Sequence, residues 1–242
     1  MISKEEQCDN LIFVTVSDIG SNHRILCIPN QDAADFRFDG EDFVLAVSDG
    51  VGSCKEAERG SKYAVEACLK LFDGIKSHVL HFDNTEIVEA IIAEWKLLIG
   101  RENADEFCAT LKAVVKIGND IKLVSIGDGI AAVTSNGIKL LAPTEDMSFT
   151  NETKCLRSQI KPESFWIGDF RIDTYEPFAV FCCTDGVANG LTSGKELELV
   201  EEIEKNTLNE ELKFELETLV NEIGEYNFDD KTVGVVKYER KN

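Results

Sequence analysis

The chain has 242 residues, 43% of them hydrophobic, and sets 45 acidic against 25 basic side chains for a formal net charge of −20. That length suits one large domain or two small ones, and so anionic a surface repels phosphate backbones, which argues against a nucleic-acid partner. No apolar stretch approaches a membrane span, the opening MISKEEQCDN lacks the apolar core of a signal peptide, and eight cysteines without a Cys-x-x-Cys pair read as reduced thiols of a cytoplasmic protein.

Leu11 to Ser17, LIFVTVS, reads as a strand rich in branched and aromatic residues, with a turn, DIGSNHR, behind it. NQDAADF and the polar turn RFDGED precede a second apolar strand, Phe43 to Ser48. From Glu56 to Phe72 the pattern becomes helical, with Ala57, Ala64, Ala67, Cys68 and Leu71 in phase. A second helix spans Thr85 to Ile99, where Ile87, Ile91, Trp95 and Leu98 share a face. Asp39-Gly40 and Asp73-Gly74 read as plain turns. Short strands follow in TLKAVVKI, IKLVSIG, IAAVTS and IKLLAP, and Asn136-Gly137 is a hairpin signal. Residues 144–173 have weak periodicity and read as an extended loop or lid. FAVFCCT is a further strand, Lys195 to Lys205 and Leu208 to Ile223 are helical, and KTVGVVKY closes the chain as a strand. This order predicts an α+β fold of stacked, mainly antiparallel β-sheets with helices outside. Without a Pro/Gly/Ser-rich linker, residues 1–242 read as one domain.

Three apolar runs end in Asp-Gly, at Asp49, Asp128 and Asp185. Any one of them is explained by a turn or a helix cap. The set is less easily explained, because Asp32, Asp49, Asp128, Asp185 and Asp229 all flank strand candidates, and strands that share sheets can bring their ends together. Carboxylates gathered without a counterion repel and raise one another's pKa. A hard divalent cation relieves that repulsion and prefers oxygen ligands. With three histidines and no thiolate pair, a zinc site of Cys/His type is disfavoured.

The pieces NQDAADF, FVLAVSDGVGSCKEAERGSKYAVEAC, CATLKAVV, KLVSIGDGIAAV, FCCTDGVAN and FDDKTVGVVKYE, spread from about residue 11 to 238, resemble the protein phosphatase 2C family in wording and order. These are metal-dependent PPM-type serine/threonine phosphatases, and the likeness is to the bacterial type. The resemblance implies an α/β/β/α sandwich with two Mn²⁺ or Mg²⁺ ions, and a possible third, between the sheets. Carried over, Asp49 bridges both metals, the carbonyl of Gly50 binds one, and Asp185 and Asp229 bind the other. Asp32 lies at the metals or on their waters, and Asp128 matches an aspartate that helps to hold a third ion in bacterial relatives. Thr232 occupies the usual hydroxyl position.

Three positions depart from the family pattern. Gln31 replaces the usual Glu, and Cys27 stands where the phosphate-gripping arginine is expected, leaving His23 and Arg24 as nearby candidates for that role. Val51 follows Asp49-Gly50 where eukaryotic members often carry a histidine acid, so water is the expected proton source for the leaving alkoxide.

The implied activity is hydrolysis of phosphoserine or phosphothreonine in proteins, by in-line attack of a hydroxide bridging the two metals. An aspartyl-phosphate route ranks low, since Asp49, Asp128 and Asp185 lack an Asp-x-Asp arrangement. The alternatives are an inactive regulatory module of the same fold and a phosphatase of small phosphate esters. The expected partner is a phosphorylated protein, with a cognate serine/threonine kinase or its target; no membrane is expected.

Overall fold

The structure is a computed structural model that describes residues 1–143, 154–173 and 176–239. Its strands are β1 (Ile2–Cys8), β2 (Leu11–Asp18), β3 (Asp32–Asp39), β4 (Asp42–Asp49), β5 (Leu111–Ile117), β6 (Asp120–Ile126), β7 (Ile130–Ser135), β8 (Ile138–Leu141), β9 (Trp166–Arg171), β10 (Phe178–Cys183) and β11 (Lys231–Tyr238). Its helices are α1 (Ser21–Leu26), α2 (Ala57–Lys76), α3 (Asn84–Ile99), α4 (Asp185–Ala188), α5 (Glu196–Lys205) and α6 (Leu212–Gly224). Every strand pairing is antiparallel, in one sheet ordered β1-β2-β11-β10-β7-β8 and another ordered β3-β4-β5-β6-β9.

Period-two alternation sorts each central strand onto two apolar faces. In β4, Val44 and Ala46 pack beneath α2 and α3, while Phe43, Leu45 and Val47 face the opposite sheet. In β2, Phe13 enters that same inter-sheet layer, while Val14 and Val16 pack beneath α5 and α6. The result is four layers, helices–sheet–sheet–helices, as the order of elements predicts. Phe13 stacks on Phe36 and Phe38 at ring-centroid distances of 5.1 and 4.7 Å. Burying such a ring contributes roughly 1.5–3 kcal/mol. In the outer layer Trp95 is fully buried and donates its indole N–H to the Gly60 carbonyl at 3.3 Å.

Several local expectations change. Asp73-Gly74 is no turn but lies inside α2, which runs on to Lys76. Leu80 folds back over Gly74, where a Cβ would meet its Cδ1 at 2.7 Å, and that packing carries the helix past the glycine. DIGSNHR contains α1 rather than a simple turn. Within 144–173, Trp166–Arg171 forms β9 against β6, and residues 144–153 of the expected lid lie outside the described residues. The polar β1 has no apolar alternation to reveal it; it is an edge strand paired with β2 from Ile2↔Ser17 to Cys8↔Leu11. Asn136 and Gly137 both take positive φ, 49° and 82°, as the hairpin signal requires.

Four lysines, Lys112, Lys116, Lys231 and Lys237, are buried. Each ammonium donates to a backbone carbonyl, that of Gly127, Glu41, Asp229 and Thr207 respectively. Burial pushes Lys116 and Lys237 below the usual lysine range. All eight cysteines are free thiols. Among the described residues no helix is long and apolar enough to cross a membrane.

Candidate active site

The β3–β4 hairpin closes through Asp39↔Asp42 at its turn, and strict pairing from there sets Asp32 opposite Asp49 at the open end. Like charges directly opposite in a ladder are unfavourable, so the register itself forces these two acids to interact. Thr110 secures the Asp49 backbone: its Oγ1 accepts from Asp49 N at 3.0 Å, and its own N–H donates to Asp49 O at 2.8 Å. Gly50 is buried where a Cβ would stand 2.2 Å from the Ala57 carbonyl oxygen, so no side chain fits. Its N–H donates to Gln31 O at 3.0 Å.

The opposite sheet brings the other acids. β10 ends at Cys183, Thr184 caps the next element, and Asp185 opens α4. Gly186 lets that turn meet the start of β11: a Cβ there would lie 1.8 Å from the Asp230 carbonyl oxygen. Asp128 sits between Gly127 and Gly129, whose φ values of 84° and 90° make the tight turn that glycine allows. Lys112 holds that turn from below, with Nζ 2.7 Å from Gly127 O and 2.6 Å from Ser125 Oγ. Asp229 is exposed, and its Oδ1 accepts the Asp230 N–H at 2.9 Å.

The electrostatics show which acids feel each other. Burial, then the charges of Asp32 and Asp185, drive Asp49 far above the usual carboxylate range, with Asp128 adding to the shift. Asp32 is also raised, by burial and by Asp230, against the lowering effect of its hydrogen bond from Thr184 Oγ1 at 2.9 Å. Asp185 is pushed up to about 6 by burial, Asp128 and Asp229. Asp32, Asp49, Asp128, Asp185 and Asp229 thus form one chain of mutually repelling neighbours.

Among the described residues no three Asp, Glu, His or Cys side chains are gathered closely enough to hold a metal ion as they stand. Asp49 and Asp32 instead face each other across the hairpin, and the charge of Asp32 helps to hold the Asp49 carboxyl high. Yet the donor set fits a hard cation. It is all oxygen and in excess of negative charge, and Asp32 Oδ1 is buried without a hydrogen-bond partner. A divalent ion would offset the negative charge that these carboxylates concentrate.

His23 and Arg24 begin in the same helical turn but diverge. Arg24 Nη2 lies 2.6 Å from Asp18 Oδ1, in an exposed ion pair. His23 Nδ1 lies 2.8 Å from Asp230 Oδ2. Asp230, which the motif reading passed over in favour of Asp229, is buried and also accepts Gly20 N at 2.6 Å and Gln31 N at 2.7 Å. Of the polar web near it, only Thr232 is marked in the sequence: Ser17 Oγ meets Thr232 Oγ1 at 2.7 Å and Asn30 Nδ2 at 2.8 Å, and Thr184 Oγ1 accepts from Thr232 N at 3.1 Å. A cavity of about 450 Å³ opens beside Asp32, between β3 and α2.

Comparison with known proteins agrees with this architecture. RsbX in complex with magnesium superposes with a TM-score of 0.66 at 14% identity, covering 98% of this chain and 100% of that one. The Mycobacterium tuberculosis serine/threonine phosphatase PstP/Ppp gives 0.66 at 18% identity, covering 95% and 99%. Serine/threonine phosphatase Stp1 from Staphylococcus aureus gives 0.64 at 16% identity, covering 94% of each chain. At these identities the likeness is one of fold. No curated protein matches the sequence. The family model described as Protein phosphatase 2C matches residues 19–221, most of the chain, and with the sheets stacked and the motif acids at their ends, the chain belongs to the protein phosphatase 2C family.

Proposed function

We propose that the chain acts as one catalytic domain, a metal-dependent phosphoprotein phosphatase that hydrolyses phosphoserine and phosphothreonine in the cytoplasm, opposite a cognate kinase. The observation that carries this reading is the meeting of Asp32, Asp49 and Asp185 from both sheets, with Asp128 beside them, where burial and neighbouring carboxylates raise all three. The neighbours crystallised as RsbX with magnesium and as PstP with 2 manganese ions support the choice of ion.

Asp49, Asp185, Asp229 and the Gly50 carbonyl would hold two Mn²⁺ or Mg²⁺ ions, with Asp32 and Asp128 beside them. When bound, such ions supply a nucleophilic hydroxide near neutral pH and offset charge on the phosphoryl oxygens. The chain's own part is placement. Thr110 fixes the end of β4, Thr184 orients Asp32, Lys112 holds the turn of Asp128, and Gly186 admits the start of β11. Gln31 contributes through its backbone, bonding both Asp230 and Gly50, so its amide side chain is not the feature that ties it to the site.

The test is hydrolysis of p-nitrophenyl phosphate and of a phosphoserine peptide with Mn²⁺ and with chelator, for the native chain and Asp185→Ala. Chelation and Asp185→Ala should each abolish turnover. Activity that survives chelation sinks the metal reading; no activity at all with Mn²⁺ leaves the regulatory module in its place, and turnover of the small ester alone leaves the small-ester phosphatase. Residues 144–173 are proposed to tune peptide preference, read by comparing peptide panels before and after deletion of 144–153.

A further inference from the structure

The strand that carries Asp32 has an open edge. Among the described residues β3 pairs with β4 alone, so its other side presents backbone groups outward. Gly50 N donates to Gln31 O, and in an antiparallel ladder the residues that bond the partner strand alternate. Gln31, Ala33 and Asp35 therefore turn their backbone groups to β4, while Asp32, Ala34 and Phe36 turn theirs away from it. Two of those three outward N–H groups are already taken. Asp32 N donates to Asn30 Oδ1 at 2.9 Å, and Phe36 N donates to Asp35 Oδ1 at 2.8 Å. Among the described residues nothing bonds the N–H or the C=O of Ala34, which leaves one slot on the edge for a residue of another strand.

That slot opens into the cavity of about 450 Å³ between β3 and α2. Along β3 the cavity runs from Asp32 to Asp35, where Lys4 closes the edge, with Nζ 2.8 Å from Asp35 Oδ1 and 4.0 Å from the centroid of the Phe36 ring. α2 forms the facing wall, with Val65 and Leu69 apolar and Glu58, Lys62 and Glu66 charged. Lys62 is bonded to Glu58 at 2.6 Å. Glu66 makes no ion pair among the described residues; Lys70, which feels its charge, is held by Glu94 at 2.5 Å. The wall thus keeps one carboxylate without a cation of its own.

We infer that a phosphoserine substrate docks in this cavity in extended form, adding a short strand to β3 through Ala34 and setting a basic side chain against Glu66. The inference rests on the phosphatase reading above. Continuity with the candidate centre supports it: Asp32 is both a member of the acid cluster and part of the cavity wall. A chain whose phosphoryl group sits at those acids can leave along the edge of β3. Ala34 lies about 7 Å along the strand from Asp32, so the substrate residue bonded to it is about two positions from phosphoserine. Ala33 and Ala34 set no bulk against an incoming chain. Main-chain pairing of this kind gives affinity, and the wall beside it gives preference. The net charge of −20 favours a cationic flank for the same reason that Glu66 does.

The first test leaves the protein untouched. With the native chain and Mn²⁺, a phosphoserine peptide is compared with analogues N-methylated at one residue at a time, which removes a single N–H from the substrate backbone. One position, about two residues from phosphoserine, should lose on the order of 10-fold in kcat/KM. Its immediate neighbours should lose less, because outward and inward backbone groups alternate. The second test reverses a charge. Peptides with a lysine or a glutamate at each flanking position are compared on the native chain and on Glu66→Lys. The native chain should prefer lysine at one of these positions, and Glu66→Lys should prefer glutamate there, read as the ratio of kcat/KM for the two peptides. Simple loss of folding lowers both rates and leaves that ratio alone. A methylation scan without a sensitive position overturns the inference, as does an unaltered preference in Glu66→Lys. A native chain that turns over no peptide at all defeats the phosphatase reading itself, and this inference with it.

Discussion

Two carboxylate environments lie side by side at the end of the sandwich, and they are opposites. Asp230 is surrounded by donors: two backbone N–H groups and an imidazole, all within 2.8 Å. Asp49, across from Asp32, is surrounded by acids and is driven far above its usual range. The first is a finished structural joint, tying α1, the start of β3 and the start of β11 together. Under the proposed function, a cation from outside completes the second. Burial alone does not mark a functional acid; the nature of its partners does.

Substitutions can break that contrast or sharpen it. The largest effect belongs to the unfinished side: Asp49→Asn should lower kcat on a phosphoserine peptide by about 10²–10³-fold or more, the scale for removing one charge-organising group, as read by phosphate release. Next, Asp230→Ala should cost about 2–5 kcal/mol of stability in urea unfolding, because two buried N–H donors lose their acceptor. A third test is pH. Asp185, Asp32 and Asp49 have folded pKa values raised above the unfolded carboxylate range, so their contribution is full below about pH 4 and lost as pH rises through the folded values, about 6 for Asp185 and higher for the pair. The chelated protein should therefore melt at a lower temperature at pH 8 than at pH 5, and Mn²⁺ should shrink the difference. The smallest effect has the opposite sign: with chelator at pH 8, Asp32→Asn should stabilise by about 1 kcal/mol, since it removes one of two facing charges. If Asp32→Asn destabilises as Asp230→Ala does, the two environments are alike and the contrast fails.

The sequence showed the ends of the strands more clearly than the web between them. Asp49, Asp128 and Asp185 stand out because an apolar run stops at an acid and a glycine, and both Gly50 and Gly186 prove to be close backbone approaches. The facing of Asp32 and Asp49 follows from the hairpin turn, which fixes every later pair. Asp230 was hidden because Asp229 and Asp230 are adjacent, and nothing in the string says which one turns inward. β1 was hidden because its residues are mostly exposed and polar, so its pairing depends on the β2 backbone rather than on burial. α1 was hidden because none of its residues is buried, leaving no apolar stripe to read.

The four interior lysines have a consequence beyond packing. Four of the basic side chains face carbonyls instead of solvent and three acids, Asp32, Glu204 and Asp230, are buried as well, so the charge that meets solvent stays close to the net −20. Under the proposed function, a doubly charged phosphopeptide approaches through an opposing field before any favourable contact begins. Added salt shortens the reach of that field to about 10 Å at 0.1 M. Encounter with anionic substrates should therefore quicken as ionic strength rises, the reverse of the usual attraction between an enzyme and a charged ligand.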